Sequence, residues 1–150
     1  MGSFYRSQHE FVFVFRNGEG KHRNNVQLGK HGRNRTNAWN YPGVNTLSRQ
    51  RGEGNLLALH PTVKPVSLVA DALLDASAPG EIVLDSFLGS GSTLLAAERT
   101  SRVCYGIEID PLYVDTAIRR WQVETGSKAV HAESGKTFDE LTISMEGSHE

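Results

Sequence analysis

Residues 60–141 predict an α/β fold, with parallel strands joined by crossover helices, behind an irregular basic N-terminal arm. Three observations carry this expectation. Strand-like and helix-like periods alternate at short intervals. A Gly-rich turn, Asp85-Ser86-Phe87-Leu88-Gly89-Ser90-Gly91-Ser92-Thr93, stands between one strand and the next helix, and an acidic residue, Glu108, closes the following strand.

The elements follow in order. Phe11-Val12-Phe13-Val14-Phe15 is an unbroken β-branched and aromatic run stopped by Asn17-Gly18, which reads as a buried strand and a turn. From residue 19 to about 59 no helical or strand period is sustained, and Gly, Asn, Arg and His dominate around Trp39 and Tyr41. Pro65 suits a first helical turn, Val66, Val69 and Leu73 then recur on one face, and Pro79-Gly80 ends the helix. Ile82-Val83-Leu84 is the next strand, and Thr93 to Arg99 reads as a helix packed back on the sheet. Val103 to Ile107 gives a second parallel strand. Asp110-Pro111 is a capping residue followed by a first-turn proline, and Tyr113, Ala117 and Trp121 form the buried stripe of another helix. A short strand at Ala129 to Ala132 is expected to close the pattern.

The chain has 150 residues, of which 38% are hydrophobic, enough for one domain and a modest core. Its net charge of -1 conceals a division. Residues 1–60 hold nine Lys and Arg against three acids, whereas the rest hold seven against fourteen. A basic arm ahead of an acidic body points to a polyanionic partner, because clustered cations gain affinity by releasing phosphate counterions; the competing reading is a solvated basic loop. No window reaches the roughly 18 apolar residues of a membrane span, and the start lacks the layout of a signal peptide, so a soluble cytoplasmic protein is expected. The single cysteine, Cys104, excludes an internal disulfide, and the six scattered histidines suit no common metal site.

The Gly turn offers backbone amides at a helix start, which suit a phosphate or a carboxylate. A phosphate loop needs a lysine after its second glycine and none follows Gly91; a dinucleotide fold wants a third glycine where Leu94 stands. A carboxylate at Glu108 is placed to accept both hydroxyls of a ribose lying over the turn. The bland alternatives are a structural turn and a strand-end acid.

These residues together resemble a known family. Asp85-x-Phe87-x-Gly89-x-Gly91-Ser92-Thr93, then Gly106-Ile107-Glu108-x-Asp110-Pro111-x-Tyr113, with His60-Pro61-Thr62-Val63-Lys64-Pro65 ahead of both, is similar to the DNA methyltransferases that modify adenine N6 or cytosine N4. The resemblance implies a partial Rossmann-like fold that binds S-adenosylmethionine, in a bacterial or phage restriction-modification protein associated with the nucleoid. It implies cofactor binding by Thr62, Lys64, Asp85, Phe87, Gly89, Ser90, Gly91, Ser92, Thr93, Glu108 and Asp110, with Thr62 and Lys64 at the methionine end and Phe87 along the cofactor. Phe4-Tyr5-Arg6-Ser7-Gln8-His9-Glu10 and the apolar run after it are similar to the piece preceding target recognition in the subclass whose catalytic motif comes first.

That order implies a division into residues 1–16 from the catalytic half, a target-recognition segment at 17–59, a cofactor-binding body at 60–141 and a tail at 142–150. Double-stranded DNA is the implied partner, with Arg33, Arg35, Trp39 and Tyr41 as candidate contacts; the two aromatic residues suit base stacking or anchoring of the loop to the body. The family holds its flipped base with an Asp/Asn/Ser-Pro-Pro-aromatic motif, and the five prolines here are all isolated. No catalytic residue is therefore assigned, and the chain is expected to be a C-terminal part whose catalytic motif is truncated or lies on a separate chain. The competing functions are a noncatalytic DNA-binding module with a vestigial fold and a nicotinamide-dependent oxidoreductase.

Overall fold

The computed structural model describes Phe4 and residues 9–30, 34–41 and 63–146, with side chains through residue 143. Helix α1 (Val66–Ala76) leads to strand β1 (Ile82–Asp85), helix α2 (Ser92–Arg99), strand β2 (Val103–Gly106), helix α3 (Pro111–Thr125) and helix α4 (Phe138–Glu146). The strands pair in parallel, Ile82 with Val103 and Asp85 with Gly106, with α2 as the crossover, so the expected α/β class is present.

Helix α2 is the centre of the packing. It lies against α1, β2 and α3, and it buries Leu95, Ala96 and Ala97. Small residues let the neighbouring backbones approach, and Ala117 of α3 is buried beside them. Alternation along the strands turns Val83 and Cys104 toward the helices, while Ile82, Leu84, Val103 and Tyr105 are 45–65% exposed on the other face. Burial, assisted by the charge of Asp85, pushes the Cys104 thiol above its ordinary range.

Arg102 is buried at the entrance to β2, where its guanidinium donates to the Ser77 hydroxyl (3.0 Å), the Ser77 carbonyl (2.6 Å) and the Thr100 carbonyl. These bonds offset the cost of taking a cation out of water and tie the end of α1 to the turn after α2. Helix α3 begins as its residues predict, with the Asp110 carboxylate accepting from the Leu112 amide at 2.9 Å and Pro111 in the first turn.

Two expected strands are not formed. Phe11–Phe15 has no strand partner among the described residues and is 73–93% exposed, although its rings follow one another along one side at 6.4 Å. A run apolar on both sides suits a strand covered on both faces, and the described elements supply neither a neighbouring strand nor a covering layer. Ala129–Ala132 forms no third parallel strand either; Val130 makes an isolated antiparallel bridge to Thr137. The cause is local. Gly135, at φ +68°, reverses the chain, and the Gln122 side chain holds the Ala129 amide at 2.9 Å beside α3.

Helix α4 crosses the boundary expected between body and tail at residue 142. Its signal is Thr137-x-x-Glu140, a reciprocal cap in which the Glu140 carboxylate accepts from the Thr137 amide (2.8 Å) and the Thr137 hydroxyl accepts from the Glu140 amide (3.3 Å). The Thr137 backbone bond, then its hydroxyl, holds the Glu140 carboxyl below its usual value. A lowered carboxyl stabilises the fold above its unfolded pKa and loses that contribution as pH falls through its folded one. The melting-temperature difference between wild type and Glu140→Gln should therefore shrink as pH falls below about 4.3, the ordinary glutamate value; a difference independent of pH from 7 to 3 excludes the cap.

Among the described residues no helix is long and apolar enough to cross a membrane.

Candidate cofactor site

The carboxyl ends of β1 and β2 are knitted together beyond their last pair. The Ile107 amide donates to the Asp85 carbonyl (2.8 Å), and the Leu88 amide donates to the Ile107 carbonyl (3.0 Å). The Asp85 carboxylate turns the chain by accepting from the Phe87 amide at 3.0 Å. Leu88 then folds over Gly106, where a Cβ would stand 2.6 Å from its Cδ2, so a side chain at 106 would oblige Leu88 to shift.

The two halves of the motif meet at Glu108. Its Oε2 accepts from the Gly89 amide at 2.7 Å, and its Oε1 accepts from the amides of Ile109 (2.9 Å) and Asp110 (3.0 Å). One carboxylate therefore fixes the Gly turn against the end of β2. Gly91 continues the turn at φ +83° and donates to the Leu88 carbonyl at 3.0 Å. Its bare Cα lies over Ala117, where an added Cβ would meet the alanine Cβ at 2.8 Å.

Ser90 and Ser92 of the turn are buried and internally engaged. The Ser90 carbonyl (2.5 Å) and hydroxyl (3.2 Å) accept from Arg120, and the Ser92 hydroxyl donates to the Lys64 carbonyl at 2.9 Å. Ser92, Thr93 and Leu94 open α2, and their amides meet no backbone acceptor among the described residues. Phe87 is 91% exposed at the tip of the turn, so it does not serve the core.

The structure thus brings Asp85, Phe87, Gly89, Ser90, Gly91, Ser92, Thr93, Glu108 and Asp110 to one end of the sheet, with the backbone of Lys64 beside them. The Lys64 ammonium turns away to pair with Glu10. Thr62 lies outside the described residues, as does Arg33 of the arm.

The remaining candidate DNA contacts lie together against α1. Arg35 is paired with Asp75 (3.0 Å) and Asp71 (3.2 Å), and its guanidinium stacks on Trp39 at 4.0 Å from the ring centroid. The Tyr41 hydroxyl donates to Asp71 and accepts from Arg35, and burial with the Asp71 bond raises its pKa. Asn25 completes the attachment, its amide group donating to the carbonyls of Leu74 and Ser77 at 2.8 Å each. Arg35 and Tyr41 anchor the arm to the body, and Trp39 packs on them from within the arm.

Sequence reasoning missed Arg120, Asn25 and Arg102. Only Arg120 left a signal, standing three residues after Ala117 and so on the same face of α3.

A helix N-terminus and a strand-end carboxylate around a Gly turn, at the carboxyl ends of parallel strands, form the arrangement at which open α/β proteins place their ligands. The chain belongs to the N6/N4 methyltransferase family described as DNA methylase, whose model matches residues 2–119. It is 38% identical over 97 residues to the type II methyltransferase M.ScaI of Streptomyces caespitosus, covering 64% of this chain and 31% of that protein. It is also 38% identical over 87 residues to the DNA adenine methyltransferase YhdJ of Escherichia coli K12, covering 58% of this chain and 28% of the relative. Among solved structures, the complex of M1.HpyAVI with S-adenosylmethionine shares 40% identity, covers 41% of this chain and 30% of that one, and has a TM-score of 0.41. The chain spans about 30% of the length of the curated relatives it matches.

Proposed function

We propose that this chain is the S-adenosylmethionine-binding part of a DNA methyltransferase acting on adenine N6 or cytosine N4. The observation that carries the proposal is the Glu108 carboxylate bound to the Gly89 amide, because it joins the two halves of the motif around the start of α2. The donor set suits the ligand's chemistry. A methionine carboxylate matches the amides of Ser92, Thr93 and Leu94 at a helix N-terminus, and Asp85, Glu108 and Asp110 supply negative charge for a sulfonium. Phe87, exposed at the tip, is available to cover the adenosyl group. An ionised carboxylate has about four acceptor positions; at least three backbone amides already use Glu108, so gripping two ribose hydroxyls requires it to release one or more of its present partners.

When bound, the cofactor supplies the methyl group. What the chain does not supply is a Pro-Pro-aromatic motif to hold the target amine, since all five prolines are isolated. Methyl transfer depends on holding the amine within about 3 to 3.5 Å of the methyl. The chain alone is therefore expected to bind cofactor without methylating, the catalytic motif coming from a separate polypeptide or from sequence beyond these residues. The net positive arm supports double-stranded DNA as the polyanion, with Arg16, Lys21 and Lys30 better placed to meet phosphate than Arg35, which α1 already holds.

The test uses the purified chain. Calorimetry should detect both S-adenosylmethionine and its demethylated product, duplex DNA should bind with an affinity that falls as salt rises, and labelled cofactor should leave mixed-sequence DNA unlabelled. Absence of nucleoside binding with DNA binding retained favours the noncatalytic DNA-binding reading. Robust DNA labelling refutes the expected inactivity.

A further inference from the structure

We infer that Arg120 is a positioning residue that holds the cofactor turn in its binding conformation, a role resting on the cofactor reading above. Helix α3 reaches the turn twice with one face: Ala117 lies under Gly91, and Arg120, three residues later, donates to the carbonyl and hydroxyl of Ser90. Ser90 is only 5% exposed. Its carbonyl has little access to water, and the guanidinium replaces that solvation with a charge-assisted bond.

The consequence falls on a single peptide unit. The Ser90–Gly91 peptide is held at its carbonyl by Arg120 and at its N–H by the Leu88 carbonyl, 3.0 Å away. Fixed at both ends it resists rotation, and the chain leaving it enters α2, where the amides of Ser92, Thr93 and Leu94 meet no backbone acceptor among the described residues. Without the guanidinium, the Ser90 carbonyl becomes a buried acceptor with no partner there, and the peptide is free to turn toward water. Binding would then have to order the turn as well as fill it, and that cost is what preorganisation avoids. Arg120 therefore acts on affinity through the backbone, with no contact to the ligand.

Arg120→Met keeps the apolar stem and removes the donors; Arg120→Lys keeps the charge with a single-point donor. Amide hydrogen exchange on the ligand-free chain reads the brace directly. Exchange at residues 89–93 should accelerate about tenfold or more in Arg120→Met while Val83 and Cys104 in the strands hold their wild-type rates, and calorimetry should show affinity for the demethylated nucleoside falling about tenfold, partly recovered in Arg120→Lys. Unchanged exchange at 89–93, or an equal rise throughout β1 and β2, overturns the brace, the second because it marks a general loss of stability. Should Arg120→Met not fold, Arg120→Lys decides by the same comparison. Wild-type protein that binds no nucleoside overturns the cofactor reading instead, while exchange still reports on the brace.

Discussion

Glu108→Ala is expected to weaken binding of S-adenosylmethionine and its demethylated product by about a hundredfold or more while leaving the chain folded. Hydrogen bonds to a charged group contribute about 1.5–3 kcal/mol each, and the proposed cofactor site places two ribose hydroxyls on this carboxylate, so a loss of about 3 kcal/mol is the lower end of the expectation. The variant also frees the Gly89 amide from its bond at 2.7 Å and loosens the junction between the Gly turn and β2. Glu108→Gln separates the two contributions. Its carbonyl oxygen still accepts, but its NH2 faces backbone amides that donate, so it should bind more weakly than wild type and better than alanine. Titration calorimetry on variants whose circular dichroism and melting match wild type makes the comparison. Undiminished affinity in folded Glu108→Ala removes the ribose contact and with it the cofactor assignment.

Gly91→Val is expected to be the most destabilising single change in the body. Two costs add. At φ +83° a side chain meets the backbone clash that disfavours left-handed conformations, about 1–2 kcal/mol, and its Cβ would enter Ala117, where overpacking costs about 1–3 kcal/mol. A domain is stabilised by only about 5–15 kcal/mol in all, and among the described residues the buried hydrophobic side chains are three alanines and one leucine. The denaturation midpoint should fall sharply, and nucleoside binding should be lost in whatever fraction still folds. Gly91→Ala combined with Ala117→Gly tests the cause, because it relieves the 2.8 Å overlap and leaves the backbone strain. The pair should lose less stability than Gly91→Ala and Ala117→Gly summed, because the overlap counted in the first is absent from the double variant, while remaining less stable than wild type. A Gly91→Val protein as stable as wild type contradicts the close approach of α3 to the turn.

The body from α1 to α3 was legible in the sequence because its signals are local. Asp110-Pro111 specifies the start of α3 through one carboxylate and one fixed backbone angle, and the Gly turn between two apolar runs specifies a strand, a loop and a helix without reference to anything distant. The same locality misled at the ends. Phe11–Phe15 has the composition of a buried strand, but a strand needs a neighbour, and composition does not supply one. Val130 was drawn to Thr137 by a glycine turn, and the reciprocal Thr137–Glu140 cap that starts α4 was present in the sequence and overlooked.

The charged arm shows the other limit. Arg35, Trp39 and Tyr41 form a cluster that suits nucleic acid when read along the chain, and the tertiary fold sets Arg35 and Tyr41 against Asp71 and Asp75 as an anchor. A guanidinium pairs with whichever anion comes closest, and distance in space does not follow from distance in sequence. Lys64 likewise stands beside the Gly turn by its backbone, while its ammonium goes to Glu10.

By itself the sequence determined the family, the order of the elements from α1 to α3 and the identity of the Gly turn and of Glu108, because each depends on residue types at fixed short spacings. Only the tertiary structure decided that Glu108 binds Gly89, that Ala117 and Arg120 support the turn from beneath, and that Arg35 is held by α1. Those are contacts across 19 to 40 residues of chain, chosen by packing and by the need of each buried polar group for a partner, and no local pattern encodes them.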